Sequence, residues 1–165
     1  MTGTDREALI GALSAEEIAA IEREAAHLPR ADSAAIEALR IVQGARGWVS
    51  DESVRAIAEL LGMSPAQVDS VATFYNLIFR RPVGRHVIMV CDSVSCFVMG
   101  CDRVRERLED TLGIRPGETT EDGRFTLLPI VCLGACDRAP VMMVGETIEG
   151  PVDPEQLPAL LERYP

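Results

Sequence analysis

The chain changes rhythm once, at RRPVG, residues 80–84, and that break constrains its fold more than any other feature. Pro82 and Gly84 end a helical pattern, and an extended segment follows. Before the break, four segments each carry one apolar stripe at helical spacing. SAEEIAAIEREAAHL opens with Ser14 and Glu17 in capping-box spacing and sets Ile18, Ile21, Ala25 and Leu28 on one face. SAAIEALRIVQGARG carries Ile36, Leu39 and Val42 and is expected to stop near Gly47. SDESVRAIAELLG gives Val54, Ile57 and Leu61, with Gly62 past its end. MSPAQVDSVATFY has Ser64 as N-cap, Pro65 at the first helical position, Gln67 closing a capping box and Met63 placed to staple onto Val68. Such helices must bury their stripes against one another. A bundle of about 65 residues is marginal alone, so it is expected to lean on another surface.

After the break the apolar runs shorten to strand length. HVIMVC reads as a strand and DRVRERLEDTLG as a helix with Val104, Leu108 and Leu112 on one face and Gly113 closing it. RFTLLPIVC and APVMMV read as two further strands. DPEQLPALLERY reads as a helix capped by Asp153, with Pro154 at its first position and Pro158 weakening it. The order is β, α, β, β, α. The expected fold class is therefore α+β, a helical bundle over residues 1–82 followed by a second domain over residues 83–165.

Charge and hydropathy exclude several kinds of partner. The net charge of −10 argues against nucleic acid and against an anionic membrane surface, since all sixteen basic residues are arginines and none forms a cluster. No apolar run approaches the roughly 18 residues needed to cross a bilayer, and MTGTDREALI resembles neither a signal peptide nor a presequence, so a cytoplasmic protein without membrane insertion is expected. No G-x-G-x-x-G or P-loop spacing appears, which leaves any dinucleotide to another subunit.

The chemistry lies in the cysteines. Five of them without a secretion signal are expected as thiols rather than as a disulfide framework. Cys91 and Cys96 flank DSVS after the first strand, and Cys132 and Cys136 flank LGA after a later one. If those strands are neighbours, the two loops lie side by side and bring four sulfurs to one place. Gly134 and Ala135 are small enough for backbone to approach a cofactor, and Ser93 and Ser95 are candidate donors to its sulfurs. Spacing leaves three readings open: a [2Fe–2S] cluster, which tolerates varied gaps; structural zinc, which favours shorter knuckles; and unbound thiols. Histidine-assisted ligation is excluded, because His86 stands about 16 Å up a strand from Cys91 at about 3.3 Å per residue, and His27 lies in the other half.

Cys101 is left over. On one continuous helix it would point about 140° away from Cys96, so it is read as a small buried hydrophobe near a helix start. Phe74, Tyr75 and Phe79 in VATFYNLIF are read as core, and Arg103 and Arg138 as solvated surface charge.

GRHVIMVCDSVSC, DGRFTLLPIVCLGACDRAP, IEALRIVQGARGWV and SVATFYNLIF together resemble the small [2Fe–2S] subunit family of bacterial respiratory complex I (NADH:quinone oxidoreductase), from about residue 14 to the end. The resemblance implies that the second domain is a thioredoxin-like ferredoxin domain and that the helical domain docks on a partner. By match to the family motif, Cys91, Cys96, Cys132 and Cys136 are the implied cluster ligands, and Cys101 falls outside the motif. The implied partner is the FMN- and NADH-binding flavin subunit, with other peripheral-arm subunits around it. The implied role is one-electron exchange with FMN, off the main path to quinone and on the cytoplasmic side of the inner membrane, with no substrate site in the isolated chain. The same design recurs in NAD-reducing hydrogenases and NAD-linked formate dehydrogenases. A zinc-stapled interaction module is the alternative of another class.

Overall fold

Serine hydroxyls start three helices in the first half of the computed structural model, which describes residues 9–165. The reading of residues 1–8 as free of a presequence lies outside the described residues. Helix α1 spans Ala15–Ala26, α2 Ala35–Arg46, α3 Asp51–Leu61 and α4 Pro65–Phe74. Ser14 Oγ accepts from the Glu17 N–H at 3.1 Å while the Glu17 carboxylate accepts from the Ser14 N–H at 2.7 Å, which satisfies donors that helix geometry leaves open. Ser64 and Gln67 repeat the box on α4, and Ser50 caps α3. Gly47 and Gly62 close α2 and α3 in left-handed conformation. Helix α1 stops at Ala26, with His27 as its C-cap, so Leu28 leaves the stripe and is exposed, contrary to expectation.

The chain divides into two units, Met1–Pro82 and Val83–Pro165. In the first, Ile21, Leu39, Val42, Val54, Ile57, Leu61 and Val68 are buried together, and Met63 packs against them. Three polar side chains tie the helices to their loops. Arg46 bonds both Glu17 oxygens at 2.7 and 2.5 Å, the Ala12 carbonyl at 2.8 Å and the Ser53 hydroxyl at 3.3 Å. The Gln43 amide donates to the Leu77 carbonyl at 2.8 Å and accepts from the Phe79 N–H at 2.6 Å. Arg80 reaches Asp69, Asp51 and the Val49 carbonyl. Gln43 clamps the turn after α4, in which the Ile78 N–H bonds the Tyr75 carbonyl at 2.9 Å, with Ile78 buried and Leu77 exposed. The reading of the aromatic cluster as core is corrected for Phe74 and Tyr75, while Phe79 is half-buried. Phe74 is 79% exposed and Tyr75 42%, and their rings meet edge to face.

In the second unit, β1 (His86–Cys91), helix α5 (Val94–Val98), helix α6 (Cys101–Leu112), β2 (Phe125–Ile130), β3 (Met142–Val144) and β4 (Thr147–Glu149) precede a 3₁₀ turn at Pro154–Gln156 and helix α7 (Leu157–Leu161). The expected order gains a fourth strand, β4, whose three residues are too few to carry an alternation signal. The sheet order is β2-β1-β3-β4, with β1 and β2 parallel and the other pairs antiparallel. Strand β2 is at the edge, where Pro129 is tolerated. Helix α6 covers the sheet with Cys101, Val104 and Leu108, which share a core with Ile88, Val90, Leu127, Met142 and Leu157. Among the described residues no helix is long and apolar enough to cross a membrane.

The Glu17–Arg46 pair makes the first unit sensitive to acid. Burial alone raises the Glu17 pKa, but the Arg46 guanidinium and the Ser14 N–H outweigh it and hold the carboxyl below its ordinary value of 4.5. A lowered folded-state pKa adds stability above the unfolded value, and that stability is lost as pH falls through the lowered one. Glu17→Gln is expected to cost the first unit about 2 kcal/mol at neutral pH, less than a fully buried pair because Arg46 is 34% exposed. Urea titration at pH 7 and pH 4 checks this, with a smaller loss between the two pH values in the variant than in the parent.

Candidate metal centre

Strands β1 and β2 pair in parallel register from His86↔Phe125 to Cys91↔Ile130, so both chains leave the sheet at the same end. Cys91 is the last residue of β1, Cys96 lies in α5, and Cys132 follows Ile130 by two residues. The Asp92 N–H donates to the Ile130 carbonyl at 2.9 Å, extending the pairing into the loops. Cys136 opens a 3₁₀ turn, Cys136–Arg138, on the second loop.

The two pairs differ in environment. Cys91 and Cys96 are 2% and 1% exposed, and their thiols lie close enough that Cys91 raises the Cys96 pKa. Cys132 and Cys136 are exposed. Main-chain groups surround the sulfurs: the Gly134 N–H donates to Cys132 at 3.4 Å, and the Cys91 thiol faces the Val131 carbonyl at 4.0 Å. The N–H donor to the Cys132 sulfur thus comes from the backbone. Burial pushes the Cys96 thiol up to about 11, with the Cys91 thiol adding to the rise and the Val141 N–H opposing it. A metal taking a thiolate there displaces a proton. Among the described residues no three Cys, His, Asp or Glu side chains form a group able to hold a metal ion; the structure brings Cys91 to Cys96 and leaves Cys132 and Cys136 on the neighbouring loop.

Cys101 is buried at the start of α6, as read from the sequence, but the continuous helix assumed in that reading is corrected. Helix α5 ends at Val98, Gly100 takes a φ of +91°, and α6 starts at Cys101, so one continuous helix does not join Cys96 to Cys101. Both are buried in the same core, and Cys101 adds to the rise of the Cys96 pKa. Its own thiol is pushed up by burial and then by the Asp102 and Asp92 carboxylates. Cys91 and Cys101 line a cavity of about 30 Å³ with Asp92 and Arg105. Arg103 and Arg138 are exposed, as expected of solvated charge. At the far end of β1, His86 contacts the rings of Phe125 and Tyr164 and bonds the Pro165 carbonyl oxygen at 3.0 Å.

An apolar rim borders both loops and went unread in the sequence. Val94, Phe97, Val98 and Met99 are 55–76% exposed, and Val131 on the second loop is 79% exposed. The available signal was the run FVM between Cys96 and Gly100, which has no polar residue to face water.

Known proteins resemble this chain. The NADH-quinone oxidoreductase of Escherichia coli (strain K12) has a subunit that is 54% identical over 152 residues, covering 92% of this chain and 92% of that one. Its counterpart from Pseudomonas aeruginosa is 50% identical over the same length and shares of each chain. A crystal structure of NAD+-reducing [NiFe]-hydrogenase in the H2-reduced state matches 76% of this chain and 22% of that chain with a TM-score of 0.66 at 24% identity, a likeness of fold. The family model of the thioredoxin-like [2Fe–2S] ferredoxin matches residues 21–165. With both cysteine-bearing loops and the whole sheet inside that span, the chain belongs to the thioredoxin-like [2Fe–2S] ferredoxin family, whose cofactor is a [2Fe–2S] cluster.

Proposed function

We propose that this chain is the electron-transfer subunit of an NADH:quinone oxidoreductase and that Cys91, Cys96, Cys132 and Cys136 hold its [2Fe–2S] cluster. The register of β1 on β2 carries the reading, because it starts both cysteine loops side by side. The donor set fits the group: four sulfurs and no imidazole, on two adjacent loops, with main-chain N–H groups directed at two of the sulfurs. When bound, such a cluster takes up and releases single electrons. The residues around it supply shelter and charge balance. Cys91 and Cys96 lie out of water, and the Val141 and Gly134 N–H groups offset negative charge on sulfur without a counter-ion.

The apolar rim supports a partner at the same end of the sheet. Exposed apolar side chains clustered beside a redox site mark a surface that a second protein covers and dries. In this reading that partner is the FMN- and NADH-binding subunit, with which the chain exchanges one electron at a time, beside rather than on the route to quinone. The helical unit docks on the same assembly, and the chain is peripheral on the cytoplasmic face of the inner membrane. Alone it carries electrons and turns over no substrate.

Cys91→Ala and Cys136→Ala are each expected to abolish the visible absorption and the reduced-state EPR signal, while Cys101→Ala retains both with about two irons and two sulfides per chain. A colourless parent protein holding one zinc, or an unchanged signal in Cys136→Ala, defeats the assignment. For the rim, the double variant Phe97→Glu, Val98→Glu is expected to keep its absorption spectrum and weaken co-purification with the flavin subunit at least tenfold, since two desolvated charges each cost over 1 kcal/mol. Undiminished recovery of the partner removes the rim from the interface.

A further inference from the structure

Residues 136–141 form a strap that links the two cysteine loops. At its start the Ala139 N–H donates to the Cys136 carbonyl at 3.4 Å, and the Arg138 N–H donates to the Ala135 carbonyl at 3.1 Å. At its end the Val141 carbonyl accepts from the Cys91 N–H at 3.1 Å, and the Val141 N–H lies near enough to the Cys96 thiol to lower its pKa. One short segment thus begins at a cysteine of the second loop and ends on both cysteines of the first. Its other side rests on the chain after β4, where the Val152 N–H donates to the Pro140 carbonyl at 2.8 Å.

Gly150 sits under this strap with no room for a side chain. A Cβ there would stand 2.5 Å from Val141 Cγ1 and 2.7 Å from the Arg138 carbonyl oxygen. The second contact is with backbone, so no rotamer change relieves it; the strap itself has to shift. Gly150 lacks the positive φ seen at other glycines, and it is space that demands glycine here.

We propose that Gly150 is a positioning residue for the metal centre: its missing Cβ lets residues 138–141 sit where the Val141 carbonyl bonds the Cys91 N–H and the Val141 N–H is left beside Cys96, and that placement sets the reduction potential of the bound cluster. The inference rests on the reading of Cys91 and Cys96 as ligands. Reduction adds negative charge, an N–H aimed at a ligand sulfur favours the reduced form, and its displacement lowers the potential.

The test uses the full chain carrying its cluster, with a redox titration followed by visible absorption and iron assayed on the same samples. Gly150→Ala is expected to keep its iron, shift the midpoint to lower potential and speed amide hydrogen exchange at Val141. An unchanged midpoint at full iron content overturns the inference. If Gly150→Ala fails to retain the cluster, replacing Val141 by its α-hydroxy acid, which exchanges only the N–H for an ester oxygen, decides instead: a lower midpoint supports the inference and an unchanged one overturns it. Cys96→Ala separates the underlying reading, since an intact cluster in that variant removes Cys96 as a ligand whatever Gly150 does.

Discussion

The parallel pairing of β1 with β2 is the constraint on which the second unit depends. A parallel pair cannot be closed by a tight turn, so the chain must cross over, here through α5 and α6, and both strands then end on the same side. Cys91 closes the first strand and Cys132 lies just beyond the second, so register decides whether the two loops start level. A slip of one residue would turn Cys91 to the opposite face of the sheet and out of the core it shares with Cys96. The ladder of β1 with β3 adds a second restraint, and Val141, one residue before β3, reaches both first-loop cysteines.

What the sequence revealed follows from how local each signal is. Capping boxes at Ser14 and Ser64 and the closing glycines Gly47, Gly62 and Gly113 act within a single turn, and they stand in the structure where the residues placed them. The run HVIMVC became a strand because all but its first side chain find a buried place. The N–H donors at Val141 and Gly134 had no such signature, since a backbone donor looks the same at every non-proline residue and only the fold aims it. Gly100 hid the break between α5 and α6, because a single glycine in a helical pattern is as often tolerated as decisive.

The misreading of Phe74 and Tyr75 has a different cause. An aromatic cluster is more often core than surface, but α4 ends at Phe74 and Tyr75 takes an extended conformation with ψ 107°. Gln43, more than thirty residues earlier, then fixes the next turn of chain through the Leu77 carbonyl and the Phe79 N–H. A bond between residues so distant leaves no trace in a local window. With its backbone clamped, the segment presents Phe74, Tyr75 and Leu77 to solvent rather than folding them under.

Helix α5 shows why the rim and the buried sulfurs belong to one problem. A helix of five residues gains too little from its own hydrogen bonds to form alone, and tertiary contacts must hold it. Cys96 is its one buried residue, close to Cys91 and Val141, while Val94, Phe97 and Val98 face outward. A sequence chosen for the stability of this unit alone would place polar side chains at those outward positions. The chain keeps apolar ones, which fits the two roles proposed for this helix: a ligand sulfur on its buried side and an apolar face that a second protein covers.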